Sequence, residues 1–200
     1  MMKVMNETTN DTRQHILDVG YQLIVTKGFT KVGLSELLKL ANVPKGSFYH
    51  YFKSKELFGT ELIHVYFKHY LEQASNIFNH PQRSGYDCLL EYFEYWKGKD
   101  DQCCNANKCL VVKLSAEVSD LSEPMRLALR NGADQVVTSI AGCIEKGIAD
   151  GSIKPSDSQK TAHQLYFLWV GASVLNKLYQ DQSGLHQCLE STKDLLKPNN

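Results

Sequence analysis

Apolar residues recur at intervals of three and four along nearly the whole chain, a spacing that predicts helices throughout. Ile16, Leu17, Gly20, Leu23 and Ile24 mark one face of a first helix running from about Asp11, its cap, to Lys27, with Gly28 as its stop. Leu34, Leu37, Leu38 and Ala41 mark a short second helix, and after Asn42-Val43-Pro44 a third carries Lys45 to Tyr51. Ser54-Lys55-Glu56 opens a long fourth helix, with Leu57, Phe58, Leu62, Val65, Tyr66, Tyr70 and Leu71 along it, lasting to about Asn79. Pro81 to Gly85 breaks the chain before a fifth helix from Tyr86 to about Lys97, and the polar, aperiodic stretch from Gly98 to Lys108 reads as a loop. A short helix from about Cys109 to Val118 and a long one from Glu123 to Ala149 follow. The next, roughly Asp157 to Tyr179, is apolar around most of its circumference, and an amphipathic last helix holds Leu185, Cys188, Leu189, Leu195 and Leu196. The expected fold is all-α: a compact three-helix head on residues 1–55 and a larger helical body on 56–200.

Composition narrows the function. A hydrophobic content of 42% in 200 residues supports a real core. Lys+Arg and Asp+Glu balance at 22 each, yet through Lys55 eight positive residues stand against four negative. The head is therefore +4 and the remainder, at fourteen against eighteen, −4, which points the head at a polyanion. The first ten residues lack an apolar signal core, and the longest apolar run, Leu165 to Leu175, is too short for a membrane span, so a cytoplasmic chain with no membrane partner is expected. Cysteines at 88, 103, 104, 109, 143 and 188 are then expected to be reduced, and no C-x-x-C pair or zinc-finger spacing suggests a metal or other cofactor. Two near-matches to a nucleophile elbow, at Gly33 to Leu37 and Gly171 to Leu175, each lack a glycine and lie within helical patterns. No catalytic residue is assigned, and an enzyme is not expected. A helical adaptor would account for the body but leaves the basic head without a role.

The second and third helices, joined by a tight turn, have the dimensions of a helix-turn-helix. From Gly33-Leu34-Ser35-Glu36-Leu37, through Asn42-Val43-Pro44-Lys45-Gly46-Ser47-Phe48-Tyr49-His50-Tyr51-Phe52, to Lys55-Glu56-Leu57, the segment resembles the signature of the TetR family of transcriptional regulators. Asn42 stands where that family usually has a turn glycine, and asparagine tolerates the left-handed backbone such a turn needs. Lys45 supplies charge for a phosphate or a guanine edge, and Gly46 removes a side chain where backbone approaches the duplex. Ser47, Tyr49, His50 and Tyr51 supply donors, while Lys55, with Thr12 and Arg13 of the first helix, adds positive potential near helix amino ends. By resemblance, Ser35, Lys45, Ser47, Tyr49, His50, Tyr51 and Lys55 match DNA-contacting positions. Phe48, Phe52, Leu37 and Val43 are read as core, and one of Tyr49 or Tyr51 as sharing in it.

The resemblance implies a homodimeric repressor on palindromic double-stranded operator DNA, its last two helices pairing with their copies. Leu165, Leu168, Trp169, Gly171, Ala172, Leu175, Leu185 and Leu189 are the interface positions it suggests, with burial inside one subunit as the alternative. In the body, Lys108-Cys109-Leu110-Val111-Val112-Lys113-Leu114-Ser115-Ala116-Glu117-Val118-Ser119-Asp120-Leu121-Ser122 resembles the electrophile-responsive branch of the same family. A reactive cysteine needs its thiolate, favoured by nearby positive charge or a helix amino terminus. Cys109 follows Lys108, precedes Lys113 by four residues and falls near a first helical turn. The resemblance adds Lys177 as a lysine able to approach this cysteine, and Cys103 and Cys104 are candidate resolving partners. The inducer expected on this reading is a small reactive electrophile or oxidant. Packing of Cys109 as a small apolar residue, and induction by a non-covalent ligand, stay open as alternatives.

Overall fold

The computed structural model describes residues 2–98, 105–154 and 156–198, with side chains from Asp11 onward. Among the described residues there are nine α-helices and no strand: α1 Met2–Lys27, α2 Leu34–Leu40, α3 Lys45–Tyr51, α4 Lys55–Phe78, α5 Gly85–Lys97, α6 Leu110–Val118, α7 Glu123–Ala149, α8 Ser158–Tyr179 and α9 Ser183–Leu196. Eight of these follow the hydrophobic spacing to within a residue or two. The exception is α1, which begins at Met2, so Asp11 lies inside the helix and is not its cap. No glycine or proline interrupts residues 2–15, and extending a helix already nucleated by Ile16 and Leu17 adds one backbone bond per residue.

The backbone packs as two units, one comprising residues up to Tyr66 with Lys113–Arg130, the other Phe67–Val112 with Asn131–Asn200. In the first, Gly28 (φ 85) closes α1 by donating its N–H to Ile24 O at 2.8 Å. The turn between α2 and α3 is made at Asn42, whose φ of 51° is the left-handed conformation expected of it. Behind α3, Phe48, Phe52 and Phe58 are buried with ring centroids 5.1–5.5 Å apart. Such aromatic contacts within 4.5–7 Å add to area burial, so this trio holds the recognition helix against α4.

The second unit is built on a larger aromatic cluster. Tyr92, Phe93, Trp96 and Trp169 are buried, and Phe93 stacks on Trp169 at 4.7 Å. Each indole N–H finds a hydroxyl: Trp96 donates to Ser173 Oγ at 2.9 Å, and Trp169 to Thr192 Oγ1 at 3.0 Å. These bonds explain two buried polar residues on otherwise apolar helix faces, since an unpartnered indole donor in such a core costs free energy. They also join α8 to both α5 and α9.

Candidate nucleic-acid interface and sensor cysteine

The recognition helix α3 turns Phe48 inward and leaves Lys45, Gly46, Tyr49 and His50 exposed, with Ser47 and Tyr51 half-buried. Lys45 Nζ stands 5.9 Å from the centre of the Tyr49 ring, so one polar face of α3 carries a cation above an aromatic plane. A Cβ at Gly46 would meet nothing within 4 Å, so no neighbour within the chain demands glycine there. Ser35 is exposed at the second residue of α2. Thr12 is half-buried on α1, and Arg13 is held in place, its Nη2 2.6 Å from Glu61 Oε2 and its guanidinium 5.4 Å over the Phe52 ring. Arg13 therefore braces α1 on α4. Lys53, exposed just after α3, is a further cation that periodicity alone does not single out.

Lys55, expected to face phosphate, also has partners within the chain. Its Nζ donates to Phe29 O at 2.8 Å and lies 4.5 Å over the Phe29 ring, and it also reaches Thr30 O at 3.5 Å. Burial pulls its pKa down, with the Glu117 charge acting in the opposite direction. The ammonium is spent on the loop after α1, because that loop exposes carbonyls where a helix has ended. The same loop is gripped by α6. Glu117 accepts the Phe29 N–H at 3.0 Å and the Thr30 N–H at 2.5 Å, while Lys113 Nζ donates to Thr26 O at 3.2 Å.

Burial opposes the Glu117 charge, but hydrogen bonds from Thr30 and Phe29 and the nearby Lys113 outweigh it, holding the carboxyl below its ordinary value. The contribution of this latch is thus complete above the unfolded value of about 4.3 and is lost as pH falls through the lowered folded value. Gly28 makes room for it: besides its positive φ, a Cβ there would stand 2.8 Å from Glu117 Oε2. Gly28→Ala and Glu117→Ala are each expected to cost about 1–2 kcal/mol. The double variant should cost less than the sum, since removing the carboxylate relieves the clash, and urea unfolding of the four proteins checks this cycle.

Cys109 immediately precedes α6 and is only 6% exposed. The Lys113 ammonium is turned onto α1, and the pKa of the buried Tyr166 hydroxyl is raised by burial first and then by Cys109 and Asp134. Lys177 is half-buried in the last turn of α8. Beside it, Asn176 Nδ2 donates to Asn107 Oδ1 at 3.3 Å, which fastens the end of α8 to the segment just before Cys109. Cys103 and Cys104 lie outside the described residues.

The apolar circumference of α8 divides in two. Leu165, Trp169 and Ala172 are buried within the chain, as are Leu185 and Leu189 of α9, so these five belong to the subunit's own core and not to a free face. Phe167 (67% exposed), Leu168, Val174, Leu175, Leu178 and Tyr179 (69%) form the outward stripe, with Gly171 exposed among them. Residues at three- and four-residue steps lie on one side of a helix, and α8 presents two such sides.

Residues 16–58 match the model of bacterial regulatory proteins of the tetR family, and residues 85–192 match the tetracyclin repressor-like C-terminal domain. The chain belongs to the TetR family. It is 38% identical to the HTH-type transcriptional repressor NemR of Escherichia coli strain K12 over 94% of this chain and 96% of that protein. It is 28% identical to the HTH-type transcriptional repressor DhaR of Mycobacterium sp. strain GP1, over 93% and 92% of the two chains. The crystal structure of the reduced form of E. coli NemR superposes with a TM-score of 0.87 at 39% identity, covering 93% of this chain and 97% of that one. As a TetR-family member the chain is a DNA-binding transcriptional repressor and not an enzyme. Among the described residues no helix is long and apolar enough to cross a membrane.

Proposed function

We propose that this repressor binds a palindromic operator as a homodimer and releases it when Cys109 is modified by a small electrophile or oxidant. In this reading residues 1–55 carry the DNA contacts and 56–200 the sensor and dimer contacts, with Lys45, Gly46, Ser47, Tyr49 and His50 reading the duplex and Ser35 and Tyr51 supporting them. The outward stripe of α8 supplies the interface between copies, because an apolar face of this length is costly to leave in water.

The observation that carries the sensing role is the Asn107–Asn176 hydrogen bond, which ties the approach to Cys109 to the turn of α8 bearing Lys177. The likeness to NemR over nearly the whole chain, with a crystal structure of that protein described as its reduced form, supports a redox-responsive reading. From Cys109 the polypeptide runs directly into α6, the helix whose Glu117 and Lys113 hold the loop after α1. Adding a group at a nearly buried thiol displaces what packs on it, and α6 is the rigid element by which that displacement reaches the latch. The burial of Cys109 favours small reagents.

Gel shifts with promoter DNA test this reading, comparing hypochlorite, N-ethylmaleimide and a reactive aldehyde. Wild type is expected to release DNA, Cys109→Ser to stay bound at about tenfold higher reagent, and Lys177→Met to respond weakly. Release of Cys109→Ser at the wild-type dose overturns the assignment.

A further inference from the structure

The ammonium of Lys146 sits at a junction of three elements. Its Nζ donates to Phe78 O at 3.0 Å and His80 O at 3.2 Å, at the end of α4, and lies 3.6 Å from Cys88 Sγ on α5. The close seating of α5 on α7 produces this contact. Gly85 N donates to Asp150 Oδ2 at 2.8 Å and Tyr86 N to Ser152 Oγ at 3.1 Å, and Gly85 packs directly on the backbone of Gly147, where no side chain would fit. Cys88, one turn into α5, is thereby pressed against the face of α7 that carries Cys143 and Lys146. Cys88 is fully buried, Cys143 is 3% exposed, and Lys146 is half-buried.

We propose that Cys88 and Lys146 form a second oxidant-capture site, at which a small neutral two-electron oxidant such as hypochlorous acid joins the sulfur and the amine nitrogen covalently. The proposal stands apart from the Cys109 reading. Cys88 sulfur attacks the chlorine of hypochlorous acid, forming the sulfenyl chloride and releasing the elements of water. The Lys146 nitrogen, having given up a proton, then attacks sulfur; the S–N bond forms, the S–Cl bond breaks, chloride leaves and a second proton passes to solvent. Sulfur is oxidised by two electrons and the chlorine of the oxidant is reduced to chloride, so the step balances without a further reactant.

The rival nucleophile is Cys143. Burial first, and then Cys88, push its thiol up to about 12, with Lys146 pulling the other way, and its Sγ donates to Gly85 O at 3.5 Å. Cys143 Sγ is directed onto that backbone carbonyl, whereas Lys146 Nζ already lies 3.6 Å from Cys88 Sγ, which leaves the capture to Lys146. Complete burial of Cys88 also selects the reagent, excluding maleimides and restricting reaction to very small oxidants admitted by local opening. Bond formation removes the charge on Lys146 and its two bonds to the carbonyls at the end of α4, so that helix loses a cationic C-terminal cap.

The test is peptide mapping of the folded, reduced, full-length protein after treatment with one equivalent of hypochlorous acid, digested without reductant. The expected product joins the Cys88 and Lys146 peptides with loss of two hydrogens, reverts with dithiothreitol, and lowers Tm by roughly 2–8 °C. Cys109→Ser and Cys143→Ser should retain the cross-link, and Lys146→Met should replace it with sulfenic acid at Cys88, the product of hydrolysing the sulfenyl chloride. Lys146→Arg, which keeps a cation on the α4 carbonyls, is the second variant should methionine unfold the chain, and it should also lack the native cross-link. A Cys88–Cys143 disulfide, or an unmodified Cys88 while Cys109 is oxidised, overturns the proposal.

Discussion

A single charge on the outward stripe of α8 is expected to turn the repressor into a folded monomer that no longer holds its operator. Leu175 is 46% exposed, and a Cβ at Gly171 meets nothing within 4 Å, so the isolated chain accommodates glutamate at either position. In a two-fold dimer each substitution appears twice, and every carboxylate buried without a partner costs at least about 2–3 kcal/mol. The pair of charges should therefore weaken association by roughly three to four powers of ten. Leu175→Glu and Gly171→Glu are expected to sediment as monomers at micromolar concentration with an unchanged circular dichroism spectrum and melting point. Operator binding falls with them, because two half-sites one helical turn apart are filled together only by a two-fold protein. A dimer that persists in both variants removes α8 from the interface. Glutamate at Trp169 would be uninformative here: that side chain is fully buried, so its loss unfolds the subunit before it reports on pairing.

The second large effect is expected at the recognition helix. Lys45 and Tyr49 are exposed, and they meet each other, the ammonium 5.9 Å over the ring, without supporting the core. Lys45→Ala and Tyr49→Ala should leave the melting point within about 1 °C of wild type, as exposed substitutions do. Each lost base contact costs about 1–3 kcal/mol, and the dimer loses it at both half-sites, so operator affinity should drop by roughly 30-fold to 10⁴-fold at fixed salt. Fluorescence anisotropy with operator and random DNA separates the outcomes: a loss confined to operator marks base readout, and an equal loss on both marks phosphate. Lys55→Ala should behave differently from either. Its ammonium caps Phe29 O beside Glu117, so the variant is expected to lose stability first and DNA affinity only as a consequence. Wild-type affinity for Lys45→Ala and Tyr49→Ala together would displace the reading surface from α3.

The predictable features of this chain are those set by short-range rules. The three- and four-residue spacing locates α2 to α9, and Pro44 and Gly28 punctuate helices as their backbone preferences require. Asn42 takes the left-handed turn that its local side-chain chemistry permits. The start of α1 was not legible in the same way, because a polar run free of glycine and proline carries no stop signal and helix propagation continues through it. The composition of the head, and the family signature from Gly33 to Leu57, are likewise properties of a contiguous segment, and they point to DNA without any knowledge of contacts.

Sequence by itself thus determined the helices, the helix-turn-helix and the family. Tertiary structure decided which side of each helix is inside and what each charged group does there. On α8, Leu165 and Trp169 serve the core while Leu175 and Tyr179 face outward, a division invisible in a helix that is apolar on both sides. Lys55 and Lys113 look like free cations in the sequence, yet their ammonium groups are committed to carbonyls 25 or more residues away along the chain. Cys88 and Lys146, separated by 58 residues, meet only because two glycines let α5 and α7 touch. Periodicity reports a residue's phase on its own helix; partners across helices are chosen by packing, which depends on the whole fold at once.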